Sequence, residues 1–174
     1  NYRYIIRADI KGYYASIDRR ILSEQLKDSF DDPRVLHYLD GIVNSATDKR
    51  GHVFVPKKGI HRRSATSPFF GALYLTPLDR AFEKRAGTFY LRFMDDIVVL
   101  AQTKRQFCAA KKRLFRILQD LKLTLSPKKT RLGKLHDGFH FLGAKLAVSQ
   151  NPASSQIQHT TVTMHDRSRR RALD

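Results

Sequence analysis

Three observations make the chain an α+β fold, an antiparallel sheet backed by helices. Residues 3–10 alternate, with Tyr4, Ile6, Ala8 and Ile10 on one side of a strand and Ile5, Arg7 and Asp9 on the other. Residues 88–101 set two short runs of β-branched, aromatic and aliphatic residues around Phe93-Met94-Asp95-Asp96, which predicts a β-hairpin with paired carboxylates at its tip. Segments with helical spacing lie between these strands and after them.

In chain order, Ile17, Ile21, Leu22 and Leu26 predict a helix from Ile17 to Phe30. Asp32-Pro33 is a cap-and-proline start for a second helix, with Val35, Leu36, Leu39, Ile42 and Val43 on its buried side. Asp48 to Pro56 reads as a turn and a short strand, His52 to Val55. Lys57 to Ser67 is a basic loop containing Gly59. Pro68 starts a longer helix to about Glu83, which Pro77 should kink or break. After the hairpin, Phe107, Leu114, Leu118 and Leu121 mark a helix whose other face is basic. Leu121–Leu125 and Phe139–Val148 predict two more short strands, separated by the loop Ser126–Gly138. There is no internal repeat and no low-complexity tract.

At 174 residues and 41% hydrophobic content the chain can bury one real core. Its net charge of +17 exceeds what solubility needs and points to a polyanionic partner, nucleic acid or an anionic membrane surface. No run approaches the roughly 20 apolar residues of a membrane span, and no N-terminal signal pattern is present, so a soluble, cytoplasmic protein is expected. The single cysteine, Cys108, excludes an internal disulfide and fits a reducing compartment. Its position in an amphipathic helix predicts a core-filling role. The chain opens on Asn1 and closes on the charged stretch Arg167–Asp174, so a piece of a longer protein is expected.

The acids carry the chemistry. An Asp-Asp turn alone reads most simply as a polar turn, and Asp9 alone as a strand-terminal cap. Like charges side by side repel, however, and a cation offsets that. If the strand ending at Asp9 neighbours the hairpin, three carboxylates converge. Mg²⁺, a hard cation that takes oxygen ligands, is then the natural occupant.

The flanking residues sharpen this. Ala8-Asp9-Ile10-Lys11-Gly12-Tyr13-Tyr14-Ala15-Ser16-Ile17-Asp18 resembles the first palm motif of reverse transcriptases, particularly the bacterial group II intron and group II-like lineage. Phe93-Met94-Asp95-Asp96 is similar to that family's second catalytic motif. Gly59-Ile60 with Ser67 to Leu75 resembles its template-and-nucleotide-facing motif. Leu123 to Arg131 and Gly138 to Gly143 resemble its two later palm motifs, in the right order. The resemblance covers roughly residues 1–146 and implies a right-hand polymerase palm with part of the fingers. On that reading residues 1–150 are palm with partial fingers at about 18–62, and 151–174 are a linker and the start of a thumb-like basic segment.

The resemblance also implies roles. Asp9, Asp95 and Asp96 would be the catalytic carboxylates and, with the Ile10 carbonyl, the ligands of two Mg²⁺ ions, with Mn²⁺ as a substitute. Tyr14 matches the aromatic gate that collides with a ribose 2′-OH, which favours deoxynucleotides. Arg62, Ser67 and Lys129 would serve the incoming nucleotide, Lys129 near its triphosphate. RNA template, DNA or RNA primer and dNTP are the implied partners, with no membrane role. One departure stands out. Where relatives have Pro-Gln-Gly or Pro-Arg-Gly, this chain has His61-Arg62-Arg63, and Arg63 puts a long side chain where glycine permits close approach.

Between Lys104 and Lys134 lie eleven basic residues against one acid, Asp120. Lys111, Lys112 and Arg116 on the predicted helix, with Arg169 and Arg170 near the end, are the expected phosphate contacts. The expected function is RNA-directed DNA synthesis. The rivals are a catalytically weak maturase or defence protein that binds RNA, and another palm enzyme such as an RNA-templated RNA polymerase or a nucleotide cyclase. Tyr14 argues against the RNA polymerase and the basic surface against the cyclase.

Overall fold

Alternation in the first strand and in the hairpin decides which residues meet. A computed structural model describes residues 2–49, 51–62, 64–83, 85–135, 139–142, 144–150 and 157–164, with the backbone only at 49, 140, 144–150 and 157–164. The elements run β1 (Tyr4–Asp9), α1 (Tyr13–Ser16), α2 (Arg19–Lys27), α3 (Pro33–Val43), β2 (Thr47–Lys49), β3 (His52–Phe54), α4 (Ser67–Tyr74) and α5 (Thr76–Phe82). They continue with β4 (Thr88–Phe93), β5 (Asp96–Ala101), α6 (Lys104–Asp120), β6 (Arg131–Lys134), β7 (Phe139–Phe141), β8 (Ala144–Gln150) and β9 (Ile157–Met164). A four-stranded antiparallel sheet in the order β4-β5-β1-β6 forms the centre, as the α+β reading expects.

One face of that sheet carries the main core. Ile6, Ala8 and Ile10 of the first strand region and Ile97 and Val99 of β5 pack under Leu22, Phe70, Tyr74, Leu78, Leu114 and Leu118 from the helices. At about 25 cal/mol per Å² of apolar surface removed from water, this layer is the main source of stability. The other face buries Ile5 and Val98 against Leu135, Phe139 and Phe141, but only at the end remote from Asp9. Among the described residues neither apolar cluster covers the half of that face around the buried Asp9 and the half-buried Asp96, which opens on a cavity.

Capping chemistry sets the helix ends. Asp18 caps α2 by accepting from the Arg20 and Ile21 amides at 3.1 and 3.3 Å, and Asp32 caps α3 from the Arg34 amide at 2.8 Å. Thr103 and Gln106 form a capping box at the start of α6. The Tyr74 hydroxyl donates to the Leu121 carbonyl at 2.7 Å and accepts from the Asp18 amide at 3.2 Å, joining α4, the α2 cap and the end of α6. Burial, chiefly, pushes this phenol up to about 12. Lys122, at φ 54, donates to the Asp18 carboxylate at 2.6 Å. Burial works against the Asp18 charge, but that bond and the capping amides outweigh it and lower its pKa.

Several expectations need correction. The helix expected over Ile17–Phe30 is α2, shorter at both ends: Ile17 and Asp18 are extended, and the separate turn α1 precedes them. The long helix after Pro68 does divide, as expected from Pro77: the break falls at Leu75, because Pro77 cannot donate into the preceding turn and instead sits in the first turn of α5. Leu121–Leu125 is not a strand: Leu125 makes one isolated bridge to Ile10. β6 takes the β1 edge from inside the stretch read as a loop, since Arg-Leu-Gly-Lys carries no alternation signal. Val35 and Ile42 of α3 are exposed, and so is Tyr38 (72%), because α3 leans on α2 by a narrow edge. Cys108 is exposed and not core filler. Of residues 151–174 the described ones, Ile157–Met164, form β9, paired with β8, which does not bear on the linker and thumb-like expectation. Arg169 and Arg170 lie outside the described residues. Among the described residues no helix is long and apolar enough to cross a membrane.

Candidate active site

The antiparallel register makes Asp9 the direct partner of Asp96. Paired residues on neighbouring strands project to the same face, so the two carboxylates share the open face. Phe93 pairs with Asp96, which leaves Met94-Asp95 as a two-residue turn and puts Asp95 at the tip. Such turns need φ > 0 at the first central position, usually supplied by glycine. Here Met94 takes φ 53, a left-handed conformation in which its Cβ is crowded.

A half-buried network holds that turn. Arg92 alternates to the helix-backed side of β4, where its Nε donates to Asp79 Oδ1 of α5 at 2.8 Å and its Nη2 donates to Oδ2. Tyr90 donates to the same Asp79 oxygen at 2.6 Å. The Nη1 of Arg92 then donates to the Met94 carbonyl at 3.0 Å, so a helix carboxylate fixes the residue before Asp95. The bond to Asp79 raises the Arg92 pKa still further and keeps the guanidinium charged. Sequence reading missed this trio. Its signal was an arginine on the core-facing side of a strand, which needs an acid to answer it.

The charges at the open face answer one another. Lys129 donates to Asp9 Oδ2 at 2.9 Å, and that bond raises the lysine pKa. Arg7, two residues before Asp9 on the same side of β1, lies 3.9 Å from Asp96. Burial raises the Asp96 pKa, Arg7 works against the rise, and repulsion from Asp9 and Asp95 adds to it. Three carboxylates are thus gathered together, with Lys129 on Asp9 and Arg7 near Asp96 among the cations that offset them.

Asp9, Ile10, Gly12, Tyr13, Tyr14, Arg62, Asp95 and Lys129 line one open cavity of about 490 Å³. The bridge between Ile10 and Leu125 bonds through the flanking residues, Lys11 to the Thr124 carbonyl and Ser126 to the Asp9 carbonyl. The Ile10 carbonyl therefore points away from Leu125, toward the hairpin side. Oxygen donors of the hard type are present: two carboxylates and a backbone carbonyl at one cavity. Among the described residues, however, no three His, Cys, Asp or Glu side chains are arranged to hold a metal ion. The three carboxylates expected to converge are divided, with Asp9 tied to Lys129 and Asp96 turned to Arg7. The donor chemistry fits a divalent cation once those two cations give way.

Tyr14 is half-buried, its hydroxyl directed at Met94 Sδ at 3.8 Å. Tyr13 beside it is buried and donates to the Gly71 carbonyl. A Cβ at Gly71 would stand 3.1 Å from the Tyr14 ring and 3.3 Å from the Tyr13 ring, so the absence of a side chain there seats both rings. Ser67 does not join the cavity: it is buried and its hydroxyl donates to the Ser64 carbonyl at 2.6 Å, holding the turn before α4. Lys111, Lys112 and Arg116 are not beside the carboxylates either. α6 packs on the helix-backed face, so its basic side looks away from the sheet. Arg63 lies outside the described residues.

Residues 1–146 match the family described as reverse transcriptase (RNA-dependent DNA polymerase). Protein YkfC of Escherichia coli strain K12 is 24% identical over 183 aligned residues, which take in 83% of this chain and 47% of that protein. The chain thus spans about half the length of this curated relative. Among solved structures, apo telomerase of Candida tropicalis truncated from its C-terminal domain aligns with a TM-score of 0.72 at 16% identity, over 93% of this chain and 35% of that one. The foamy viral protease–reverse transcriptase in complex with an RNA/DNA hybrid aligns with a TM-score of 0.53 at 17% identity, over 83% and 16%. At these identities the structural likeness speaks for the fold, a polymerase palm.

Proposed function

Since the chain belongs to the reverse transcriptase family, we propose that the protein it represents carries out RNA-templated DNA synthesis at the cavity between Asp9 and Asp95. The observation that carries this reading is the Asp9–Asp96 strand pair with Asp95 at the adjoining tip. Asp9 and Asp95 line one cavity together with Tyr14 and Lys129. In the reaction a primer 3′-oxygen bonds to the α-phosphorus of a deoxynucleotide, the bond to pyrophosphate breaks, and the hydroxyl proton leaves. Two bound Mg²⁺ ions would activate the attacking oxygen and offset charge on the leaving one.

Asp9 and Asp95, with the Ile10 carbonyl, would hold those ions, and Asp96 would supply negative charge beside them. Arg92 keeps the Asp95 turn in place through Met94. Lys129, 64% exposed at its side chain, is free to swing from Asp9 to the triphosphate and protonate the departing pyrophosphate. Tyr14 stands at the sugar, and Arg62 reaches a base edge or a phosphate. Residues 1–150 would then be palm with partial fingers, and 151–174 the approach to a thumb. A place in the group II-like lineage rests on the motifs around Asp9 and Gly59.

A second reading has its own support. The Lys129 ion pair on Asp9 and Arg62 at the cavity suit a catalytically weak relative that binds RNA without copying it. Primer extension by the full-length protein with Mg²⁺, comparing deoxy- and ribonucleotides, separates the two. Deoxynucleotide-dependent extension that vanishes in Asp95→Ala is the expected result. Extension retained by Asp95→Ala, or none by the intact protein, would overturn the first reading.

A further inference from the structure

Helix α6 carries six basic residues and one acid. Ala110, Leu114 and Leu118 turn onto the back of the sheet. At about 100° per residue, Arg105, Lys112 and Arg116 therefore point straight away from it. Arg113 is committed elsewhere, donating to the Ala81 carbonyl at 3.2 Å and docking α6 on α5.

Among these cations sits Phe115, 45% exposed, with the Lys111 ammonium 6.0 Å from its ring centroid. Cys108 is exposed on the same side. A solvated charge face accounts for the lysines and arginines but not for the phenylalanine. An exposed ring flanked by cations is what stacks a base while its neighbours hold the phosphates.

We propose that the surface of α6 running from Phe115 on its flank round to Lys112 and Arg116 on its outer side binds a segment of single-stranded RNA separate from the template and primer at the carboxylate face. The helix is about 25 Å long, room for roughly four nucleotides of extended strand. The sheet lies between this face and Asp9, so one short strand cannot engage both. An anionic bilayer is the weaker fit, because helices that lie on membranes offer a broad apolar face, and here that face is used by the sheet. The proposal rests on the chain handling nucleic acid and not on its catalysis, so it stands or falls independently of primer extension.

Cys108 reports on it directly. The full-length protein, intact and as Asp95→Asn, is treated with iodoacetamide with and without an unstructured RNA of about 20 nucleotides, and alkylation is read at the Cys108 peptide. RNA should protect Cys108 in both proteins. Phe115→Ala should raise the Kd for that RNA about fivefold or more, with Phe115→Tyr close to the intact protein. Replacing Lys112 and Arg116 by alanine should lower the salt slope by about one for each phosphate that these side chains neutralise. Phe115 is exposed, so melting temperatures should agree among these variants. Cys108 equally reactive with RNA, protection abolished in Asp95→Asn, or Phe115→Ala binding as tightly as the intact protein would each overturn the proposal. So would protection by phosphatidylserine vesicles where RNA gives none.

Discussion

The two faces of the central sheet are built from the same strands and do opposite things. Ile6, Ala8, Ile97 and Val99 face the helices and are buried. Arg7, Asp9 and Asp96, one residue out of phase, face the open side, where Asp9 and Asp96 oppose like charge to like charge and Arg7 partly offsets it. A period of two puts stability and chemistry on adjacent residues of one backbone, with little mixing between them. Substitutions on one face should therefore alter activity at almost constant stability, and those on the other should alter stability first.

The largest effect should come from Asp95→Asn on the open face. Primer extension by the full-length protein should fall by at least about a thousandfold, with a melting temperature equal to or above that of the intact protein. A matching loss of stability would break the comparison. On the buried face, Ile6→Ala should cost about 2–5 kcal/mol in urea unfolding. Its activity per folded molecule should stay near that of the intact protein.

Arg92 tests the boundary, because it lies on the core side yet acts on the turn. Arg92→Ala should lower kcat about 10–100-fold, in the range seen when residues that orient metal ligands are removed. It should also destabilise the fold by leaving Asp79 without its guanidinium partner. Steady-state kinetics and urea unfolding on the same preparation check both halves. Gly71→Ala should be milder. The added Cβ presses on the Tyr14 ring, and a shift of about 1 kcal/mol in the choice between deoxy- and ribonucleotide is expected from such overpacking. Competition between the two nucleotides measures it.

The smallest effect is a pH dependence. Asp96 has a folded pKa above its unfolded value, with burial first and repulsion from Asp9 and Asp95 behind it. The folded state therefore binds the proton more readily. Stability from this group is highest below the unfolded pKa and declines as pH rises through the folded one. Asp96→Asn should flatten that decline, so urea midpoints of the two proteins should diverge as pH rises above the ordinary carboxylate range. Midpoints that stay parallel would mean the open face carries no strain from like charge.

Much of the site was legible because its signals are local. Alternation over residues 3–10 put Asp9 opposite the core, and the Asp-Asp turn between two apolar runs located the hairpin tip. What escaped was settled by distant partners. Arg92 looked like any charged residue in a strand until Asp79 came within 2.8 Å. Cys108 was expected in the core, and the side from which α6 docks left it exposed. β6 has one large apolar residue and pairs because β1 offered an edge.

Short-range pattern alone dictates the hairpin, the sidedness of β1 and the excess of positive charge, because each depends on composition or on residues a few positions apart. The placement of β1 beside β5, which brings Asp9 level with Asp96 across more than eighty residues of chain, came from the assembled fold. So did the position of the basic face of α6 behind the sheet and the pairing of Lys129 with Asp9. Those outcomes follow from closing the core around Ile6, Val99 and Leu114, a sum over the whole chain that no local period encodes.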